Sequence, residues 1–444
     1  MEEQEEREEG GDEESEGDGE EEGTKETSVL DLHRRYEGKI EVALKVPVRS
    51  HEDFAVWYTP GVAAVTRRIA EQKDAVFELT NRGNTVAIVT DGTRVLGLGN
   101  VGAEAALPVM EGKALLFKYL GGVDAYPLCL ATSDADSLVN AVKWLSPSFG
   151  GVNLEDIEKP RCYDVLERLQ QELSIPVWHD DQQGTALVIL AGLLNALKVV
   201  GKDIATIKIA LIGAGAANVN VANFLHIAGA RYENMLVVDS RGILHANRDD
   251  VRTGGDRKKW ELCMLTNPSC TEGGIKEALR GADVCIALSK PGPGVIKKEW
   301  VAGMAEDAIV FACANPVPEI MPWEAKEGGA RIVATGRSDF ENQLNNALGF
   351  PAVFRGALDV RARMITDEMC ISAAYAIAEY AEEQGLSEER IISGIDEEEM
   401  YVREAVAVGV AAMRGGVARL HISVEELEER VRERIRRGRE AVIR

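Results

Sequence analysis

Residues 207–218 read IKIALIGAGAAN, an apolar run followed by two closely spaced glycines and further small residues. The apolar run predicts a buried strand, and the small residues predict a helix that begins near Ala216. Between them, Gly213 and Gly215 would let backbone N–H groups approach a phosphate at the helix N-terminus. The stretch therefore predicts the first βα unit of a doubly wound α/β domain that binds a dinucleotide, with a purely structural turn as the alternative.

The next predicted strand, residues 235–239, ends in an acidic residue. In a dinucleotide site this acid accepts hydrogen bonds from the ribose hydroxyls, so Asp239 favours NAD over NADP, whose 2′-phosphate it would repel. Arg241 could still reach such a phosphate, which leaves NADP open. Asn218 stands where a third Gly or Ala is usual, so the helix is expected to start slightly further from the strand. The predicted cofactor contacts are Gly213, Gly215, Ala216 and Asp239.

Strands and helices alternate on both sides of this unit. Buried strands are predicted over residues 85–90, 125–130, 150–154, 283–288, 308–312 and 331–334. This alternation implies parallel sheets with covered faces, and a length of 444 residues favours two domains. We predict an acidic tail over residues 1–26, an α/β N-terminal domain over 27–184, a doubly wound Rossmann-like NAD(P)-binding domain over 185–410 and a C-terminal helical extension over 411–444.

The formal net charge of −24 is unevenly distributed along the chain. Residues 1–26 hold 15 acidic and 2 basic side chains and no aromatic residue, a composition that predicts a disordered tail. An acidic interaction arm or salt adaptation is the alternative for this segment. The remaining residues are only mildly acidic and show no basic face, so a nucleic-acid partner is not expected.

Seven cysteines, an odd number without Cys-x-x-Cys spacing, lie largely within apolar runs. This pattern predicts free thiols in a reducing compartment and argues against a disulfide framework or a zinc site. The acidic N-terminus is unlike a signal peptide, and no apolar run approaches the length of a membrane span. A cytoplasmic protein without a membrane partner is the expectation.

A second informative stretch, residues 175–186, places two adjacent carboxylates at a predicted strand end. Asp180 and Asp181 would repel each other unless a metal ion, a cationic side chain or a proton is shared between them. Glu155 and Asp156 follow an earlier predicted strand in the same way. Hard oxygen ligands of this kind suit Mg²⁺ or Mn²⁺ better than zinc. The alternative is that each carboxylate caps a helix N-terminus.

Two further residues are ambiguous when each is taken alone. Lys113 lies early in an apolar helix, where a lysine usually extends its ammonium group to water, and only a lowered pKa would make it a base. Tyr58 lies in an apolar segment, residues 54–63, that is predicted to be extended and to be broken at Pro60 and Gly61. An isolated tyrosine there is more often a core aromatic.

In combination and in chain order, these motifs resemble the malic enzyme family, in its compact prokaryotic form. The resemblance extends from about Ser28 to Val410 and includes residues 58–63, 90–99, Lys113, 155–156, 179–186, 314–316 and 342–346. It implies that the first domain is the catalytic and substrate domain. It also implies that Glu155, Asp156 and Asp181 bind Mg²⁺ or Mn²⁺.

The resemblance implies a role for each remaining residue of the set. Lys113 would be the general base that takes the C2 hydroxyl proton of malate, and Asp180 would support it. Tyr58 would protonate C3 of enolpyruvate. The substrate contacts would be Arg94, which binds a carboxylate, and Asn315 and Asn346, which contact malate or the nicotinamide; Asn315 would then also be a cofactor contact.

The implied activity is oxidative decarboxylation of malate to pyruvate and CO₂ with NAD or NADP, with decarboxylation of oxaloacetate as a second activity. By the same resemblance the chain is expected to form a homodimer or a higher homo-oligomer. One alternative is a malolactic enzyme, which would retain its NAD and release lactate. The other is a non-catalytic nucleotide-binding module, against which the complete set of acids, Lys113 and Tyr58 argues.

Overall fold

The computed structural model describes residues 29–132 and 134–441. The chain forms two compact units that meet in sequence between Ala43 and Leu44. In the first unit, helix α1 occupies residues 29–36. The predicted tail over residues 1–26 lies outside the described residues. The second unit, from Leu44 onward, contains both sheets.

The second unit begins with three helices, α2 (Asp53–Trp57), α3 (Val62–Glu71) and α4 (Val76–Leu79). The prediction of an extended segment between residues 54 and 63 is therefore wrong. The Tyr58 N–H donates to Phe54 O at 2.8 Å, and the Val62 N–H donates to Tyr58 O at 2.8 Å, so the backbone turns helically on both sides of Pro60. The apolar side chains of this segment are exposed and form no buried strand.

The first sheet has four parallel strands in the order β2-β1-β3-β4. Its strands are β1 (Thr85–Thr90), β2 (Asp124–Cys129), β3 (Gly151–Leu154) and β4 (Val177–His179), and its helices are α5 (Ala103–Gly121), α6 (Ala135–Leu145) and α7 (Arg161–Glu172). Every residue of β1 is buried, as expected for a parallel strand with both faces covered. The carboxyl ends of the strands consequently meet at one edge of the sheet.

A turn of π-helix, Asp180–Gly184, joins β4 to the long helix α8 (Thr185–Val200). The span Asp180–Val200 is the part of the described chain that is long and apolar enough to cross a membrane, with a mean hydropathy of 1.6. However, 78% of its most apolar window is buried inside the protein, which is the behaviour of a core helix.

The second sheet has six strands in the order β10-β9-β8-β5-β6-β7, of which β7 is antiparallel to β6. Its strands are β5 (Ile209–Ile212), β6 (Met235–Asp239), β7 (Gly242–Ile243), β8 (Val284–Ala287), β9 (Ala308–Ala312) and β10 (Ala330–Thr335). Its helices are α9 (Ala216–Ile227), α10 (Asp249–Arg252), α11 (Arg257–Leu265), α12 (Ile275–Leu279), α13 (Lys298–Val301) and α14 (Pro322–Glu327). The predicted α/β fold with a doubly wound, Rossmann-like sheet is confirmed.

Four C-terminal helices, α15 (Phe350–Asp359), α16 (Asp367–Glu383), α17 (Glu398–Arg414) and α18 (Val424–Glu440), complete the core. Phe350 on α15 packs on Phe117 of α5, with ring centroids 4.6 Å apart. Leu427, Val431 and Ile435, which recur every four residues along α18, are fully buried. The chain thus returns to the first sheet after building the second one.

All seven cysteines are free thiols, and five of them are buried. Their distribution agrees with the prediction that they form no disulfide framework.

Candidate active site

The two acidic side chains of the turn Asp180–Gly184 differ in burial and in partners. Asp180 is fully buried, whereas the Asp181 side chain is 40% exposed. Asp180 Oδ1 accepts a hydrogen bond from Trp178 Nε1 at 3.2 Å, because residues two apart at a strand end project to the same face. The adjacent carboxylates therefore have different environments, because Asp180 lies in the core and Asp181 is partly open to solvent.

Lys113, near the middle of α5, lies within a buried carboxylate cluster. Its Nζ bonds Asp180 Oδ2 and lies 2.8 Å from Glu155 Oε1. Nζ also lies 4.4 Å from the centroid of the Phe350 ring, a favourable position for a cation. Burial alone would lower the pKa of Lys113, but Asp180 and Glu155 outweigh burial and raise it. The lysine is therefore cationic here and is not a snorkelling surface residue.

Asp180 receives a third donor from a distant part of the chain. Asn346 Nδ2 donates to the same Oδ2 atom that bonds Lys113. The structure thus brings together three predicted site residues: Lys113 from α5, Asp180 from the turn after β4 and Asn346 from the segment before α15.

Glu155, Asp156 and Asp181 form a second carboxylate group beside this cluster. One oxygen from each lies within 4.8 Å of the others. The Asp156 backbone has φ of 54°, and its N–H donates to Asp181 Oδ2 at 2.8 Å. Glu155 Oε2 accepts a hydrogen bond from Asn153 Nδ2 at 2.9 Å. The alternative that these carboxylates are simple helix caps does not describe this convergence.

The electrostatics of this group favour a bound cation. Burial and the Asp181 carboxylate raise the pKa of Asp156 to about 8. Burial and the neighbouring acids also raise the pKa of Glu155 well above its ordinary value, although Lys113 opposes this effect. Three converging carboxylates with too little positive charge fit a hard divalent ion such as Mg²⁺ or Mn²⁺.

His179 is the most conspicuous titratable residue of the stretch, and its Nδ1 lies 3.7 Å from Asp181 Oδ2. It is fully buried, and neither ring nitrogen is hydrogen-bonded within the described part of the chain. Burial lowers the pKa of His179 to about 4, so the ring is neutral. Its backbone N–H donates to Gln183 Oε1 at 3.1 Å, which helps to close the turn.

The glycine turn between β5 and α9 has the geometry of a phosphate-binding turn. Gly213 has φ of 102°, and a Cβ there would lie 2.5 Å from Leu288 O. Gly215, by contrast, precedes Ala216 with φ of −85°, and a Cβ on it would meet nothing within 4 Å. Asn218 Nδ2 donates to Gly213 O at 2.8 Å and to Ile212 O at 3.1 Å. Asn218 therefore braces the turn from within the first helical turn.

Asp239, at the end of β6, is held by cationic side chains. Arg248 donates to both of its oxygens at 3.0 and 3.3 Å, Lys259 bonds Oδ2, and the Arg241 N–H donates to Oδ1 at 2.8 Å. Burial opposes ionisation, but the Lys259 and Arg248 bonds outweigh it and hold the pKa of Asp239 below its ordinary value. Four donors occupy the roughly four lone-pair sites of this carboxylate. A ribose hydroxyl would have to displace one of them.

Arg94 and Asn315 lie on two loops that approach each other across the cleft. The Arg94 N–H donates to Asp156 O at 3.0 Å, which ties its loop to the carboxylate group. A Cβ on Gly97 in the same loop would lie 3.3 Å from Asn315 O. Both predicted contact residues are exposed, so their side chains are available to a ligand.

Tyr58 is not joined to this cluster within the chain. Its side chain is 71% exposed, and no hydrogen bond to its hydroxyl is found among the described residues.

Several residues that shape the site were not predicted from the sequence. Trp178 and Asn153 each stand two positions before the carboxylate that they bind, so strand alternation could have identified them. Arg248 and Lys259 gave no comparable signal, because the loop after β7 and helix α11 bring them to Asp239. Phe350 was indistinguishable from an ordinary core aromatic.

Comparison with known proteins matches both halves of the chain. A family model described as "Malic enzyme, N-terminal domain" matches residues 37–135, and one described as "Malic enzyme, NAD binding domain" matches residues 182–414. The chain is 49% identical to a bifunctional malic/malolactic enzyme of Bacillus subtilis, over 91% of this chain and 97% of that protein.

Two further comparisons give the same result. The chain is 50% identical to an NAD-dependent malic enzyme of Geobacillus stearothermophilus, over 86% of this chain and 78% of that protein. The crystal structure of Entamoeba histolytica malic enzyme superposes with a TM-score of 0.91 at 46% identity, covering 94% of this chain and 87% of that one.

Proposed function

Because the chain belongs to the malic enzyme family, we propose that it converts malate to pyruvate and CO₂ with reduction of NAD(P). A hydride passes from C2 of malate to the nicotinamide, and the C2 hydroxyl loses its proton. The C3–C4 bond of the resulting oxaloacetate then breaks, CO₂ leaves, and C3 of enolpyruvate gains a proton. The observation that carries the proposal is the buried Lys113–Asp180–Glu155 cluster beside three converging carboxylates.

We assign the C2 hydroxyl proton to Lys113. In the structure the two carboxylates beside it hold this lysine as a cation. Before it can take the C2 hydroxyl proton, the lysine must release its own proton to solvent, and this release requires one of the two carboxylates to be drawn away. Glu155 can do this, because it belongs both to the lysine cluster and to the carboxylate group. Asp180 stays beside Nζ and keeps the lysine in place, since Trp178 and Asn346 hold its two oxygens.

We propose that Glu155, Asp156 and Asp181 hold Mg²⁺ or Mn²⁺. Such an ion would polarise the C2 oxygen and stabilise the negative charge that develops on it during decarboxylation. Dialysis against a chelator should abolish turnover, and Mn²⁺ should restore it. In Asp181→Asn, restoration should require a higher Mn²⁺ concentration. Full activity in the chelated enzyme would contradict the assignment.

We propose that Arg94, Asn315 and Asn346 orient the substrate and the nicotinamide. Arg94 is suited to a substrate carboxylate, because a guanidinium offers paired donors to its two oxygens. Asn346 already contacts Asp180 and so lies beside the reacting centre, whereas Asn315 lies on the opposite loop.

We propose that the protein acts as a homodimer and that Tyr58 serves the site of the second copy. Phe54, Val56, Trp57 and Tyr58 are large apolar or aromatic side chains that are 48–71% exposed on one short segment. Contiguous exposed apolar surface of this kind marks an interaction site, and a symmetric pair would cover it. Light scattering should give a dimer mass, and Val56→Glu should shift it towards the monomer.

We propose that NAD is the preferred cofactor and that NADP is also accepted. Asp239 disfavours a 2′-phosphate, but Arg248 and Lys259 offset its charge. Initial rates with NAD and NADP, measured side by side at saturating malate, give the preference directly.

A malolactic reaction is a second candidate, because one relative carries the name bifunctional malic/malolactic enzyme. The two reactions differ in their products. Net formation of reduced cofactor with pyruvate supports the malic reaction, whereas lactate without net reduced cofactor supports the malolactic one.

We propose a cytoplasmic location, which seven free cysteines support, since thiols persist in reducing compartments. Fractionation of the native host would test this location.

A further inference from the structure

Glu319 is a fully buried carboxylate that lies behind the cofactor cleft. It lies in the segment that connects β9 to α14. Its Oε1 accepts hydrogen bonds from the Ser289 N–H at 2.7 Å and from Ser289 Oγ at 3.0 Å. Its Oε2 accepts from the Ala314 N–H at 3.0 Å. One side chain therefore joins the loops that follow β8 and β9.

These two loops border the parts of the cleft that a dinucleotide would contact. Ser289 Cβ lies 3.2 Å from the position of a Cβ on Gly213, so the β8 loop backs the phosphate-binding turn. Ala314 precedes Asn315, whose carbonyl faces the Arg94 loop at Gly97. In a doubly wound sheet the dinucleotide crosses the carboxyl ends of the strands from one half to the other. With the ribose end at β6, the nicotinamide half would lie over β8 and β9.

We propose that Glu319 is a positioning residue that fixes both loops, and Asn315 with them, against the nicotinamide half of the dinucleotide. The inference rests on the proposed function and deepens it. Hydride transfer from malate requires the nicotinamide in register with C2, whereas decarboxylation of added oxaloacetate involves no hydride transfer. Loss of the hydrogen bonds to the Glu319 carboxylate therefore impairs malate oxidation and spares oxaloacetate decarboxylation.

Glu319→Gln tests this directly. One carboxylate oxygen becomes an amide nitrogen, which is a donor, at a position where the carboxylate accepts a hydrogen bond. We expect malate oxidation to fall on the order of tenfold or more in kcat, since small misplacements of reacting groups are costly. Oxaloacetate decarboxylation should stay within about twofold, and dinucleotide affinity within about threefold, because the pyrophosphate and ribose contacts are unchanged. Fluorescence of bound NADH should change in wavelength or intensity, since it reports the surroundings of the ring.

The matched control is Glu324→Gln, in which the altered carboxylate accepts from the Met321 N–H at the start of its own helix. It should leave both activities and the bound NADH fluorescence unchanged. Ser289→Ala removes one of the three bonds to Glu319 and should lower malate oxidation by a smaller factor without loss of folding. If Glu319→Gln does not fold, Ser289→Ala still tests the role of Glu319.

A parallel fall of both activities in Glu319→Gln, or no fall in either, would overturn the inference. So would equal malate oxidation by Ser289→Ala and the wild type. If the wild type does not oxidise malate at all, the proposed function fails, and the bound NADH fluorescence still reports on Glu319 independently.

Discussion

The two glycines of the phosphate-binding turn should respond differently to the same substitution. Alanine at Gly213 would have φ near 102° and a Cβ 2.5 Å from Leu288 O. The left-handed backbone costs about 1–2 kcal/mol, and relieving the clash costs roughly a further 1–3 kcal/mol. We therefore expect Gly213→Ala to lower the free energy of unfolding by about 2–5 kcal/mol.

Gly215→Ala should leave the free energy of unfolding almost unchanged. Its φ of −85° suits any residue, and a Cβ there meets no atom within 4 Å. The restricted unfolded chain could even add about 0.4–1 kcal/mol of stability. However, the new methyl group would occupy space that the pyrophosphate needs, because the second glycine of such a turn permits close backbone approach. We expect at least about tenfold weaker dinucleotide binding, which corresponds to about 1.4 kcal/mol.

Urea unfolding and titration with NADH, followed by fluorescence, measure the two quantities on the same samples. The expected result is a destabilised Gly213→Ala and a stable but poorly binding Gly215→Ala. If Gly215→Ala binds NADH as tightly as the wild type, the pyrophosphate does not lie on this turn and the cofactor assignment is wrong.

Three further predictions concern separate parts of the protein. Neither oxygen of buried Glu404 is hydrogen-bonded within the described chain, and burial raises the pKa of this carboxyl group. The free energy of unfolding should therefore fall as pH rises above about 4.3, the pKa of an unfolded glutamate. Urea unfolding at several pH values should show a smaller fall for Glu404→Gln than for the wild type, and the same pH dependence in both proteins would contradict the prediction. Asp239→Ser frees Arg248 and Lys259 and should raise the ratio of kcat/KM with NADP to kcat/KM with NAD by on the order of tenfold. An unchanged ratio would show that Asp239 does not determine the choice of cofactor. Mixing inactive Tyr58→Phe and Lys113→Ala subunits should restore about a quarter of wild-type activity if dimers exchange at random and share sites; no restoration after exchange would place both residues in one subunit's site.

The fold followed closely from local sequence patterns. Thr85–Thr90 and Ala308–Ala312 are continuous apolar or β-branched runs, and the structure has strands at these positions. The pattern failed at residues 54–63, where apolar side chains are exposed on helices. Buried strands and exposed apolar helices have the same composition, and only tertiary context separates them.

The site was predictable where the chemistry is carried by neighbours in sequence. The acidic pairs 155–156 and 180–181 could be recognised from their place after apolar runs. By contrast, the saturation of Asp239 by Arg248 and Lys259 depends on how a loop and α11 return to the sheet. The burial of Lys113 between two carboxylates also depends on packing of α5 against two strand ends. No spacing rule in the sequence encodes such long-range encounters.

The central claim, that Lys113 takes the C2 hydroxyl proton while NAD(P) oxidises malate, is tested most directly by one comparison. Reduced cofactor and pyruvate are measured with malate, Mn²⁺ and either NAD or NADP, for the wild type and for Lys113→Ala. The wild type should form both products in equal amounts, and Lys113→Ala should lose on the order of 10²–10⁴-fold in kcat while still binding NADH. Undiminished malate oxidation by Lys113→Ala would contradict the account.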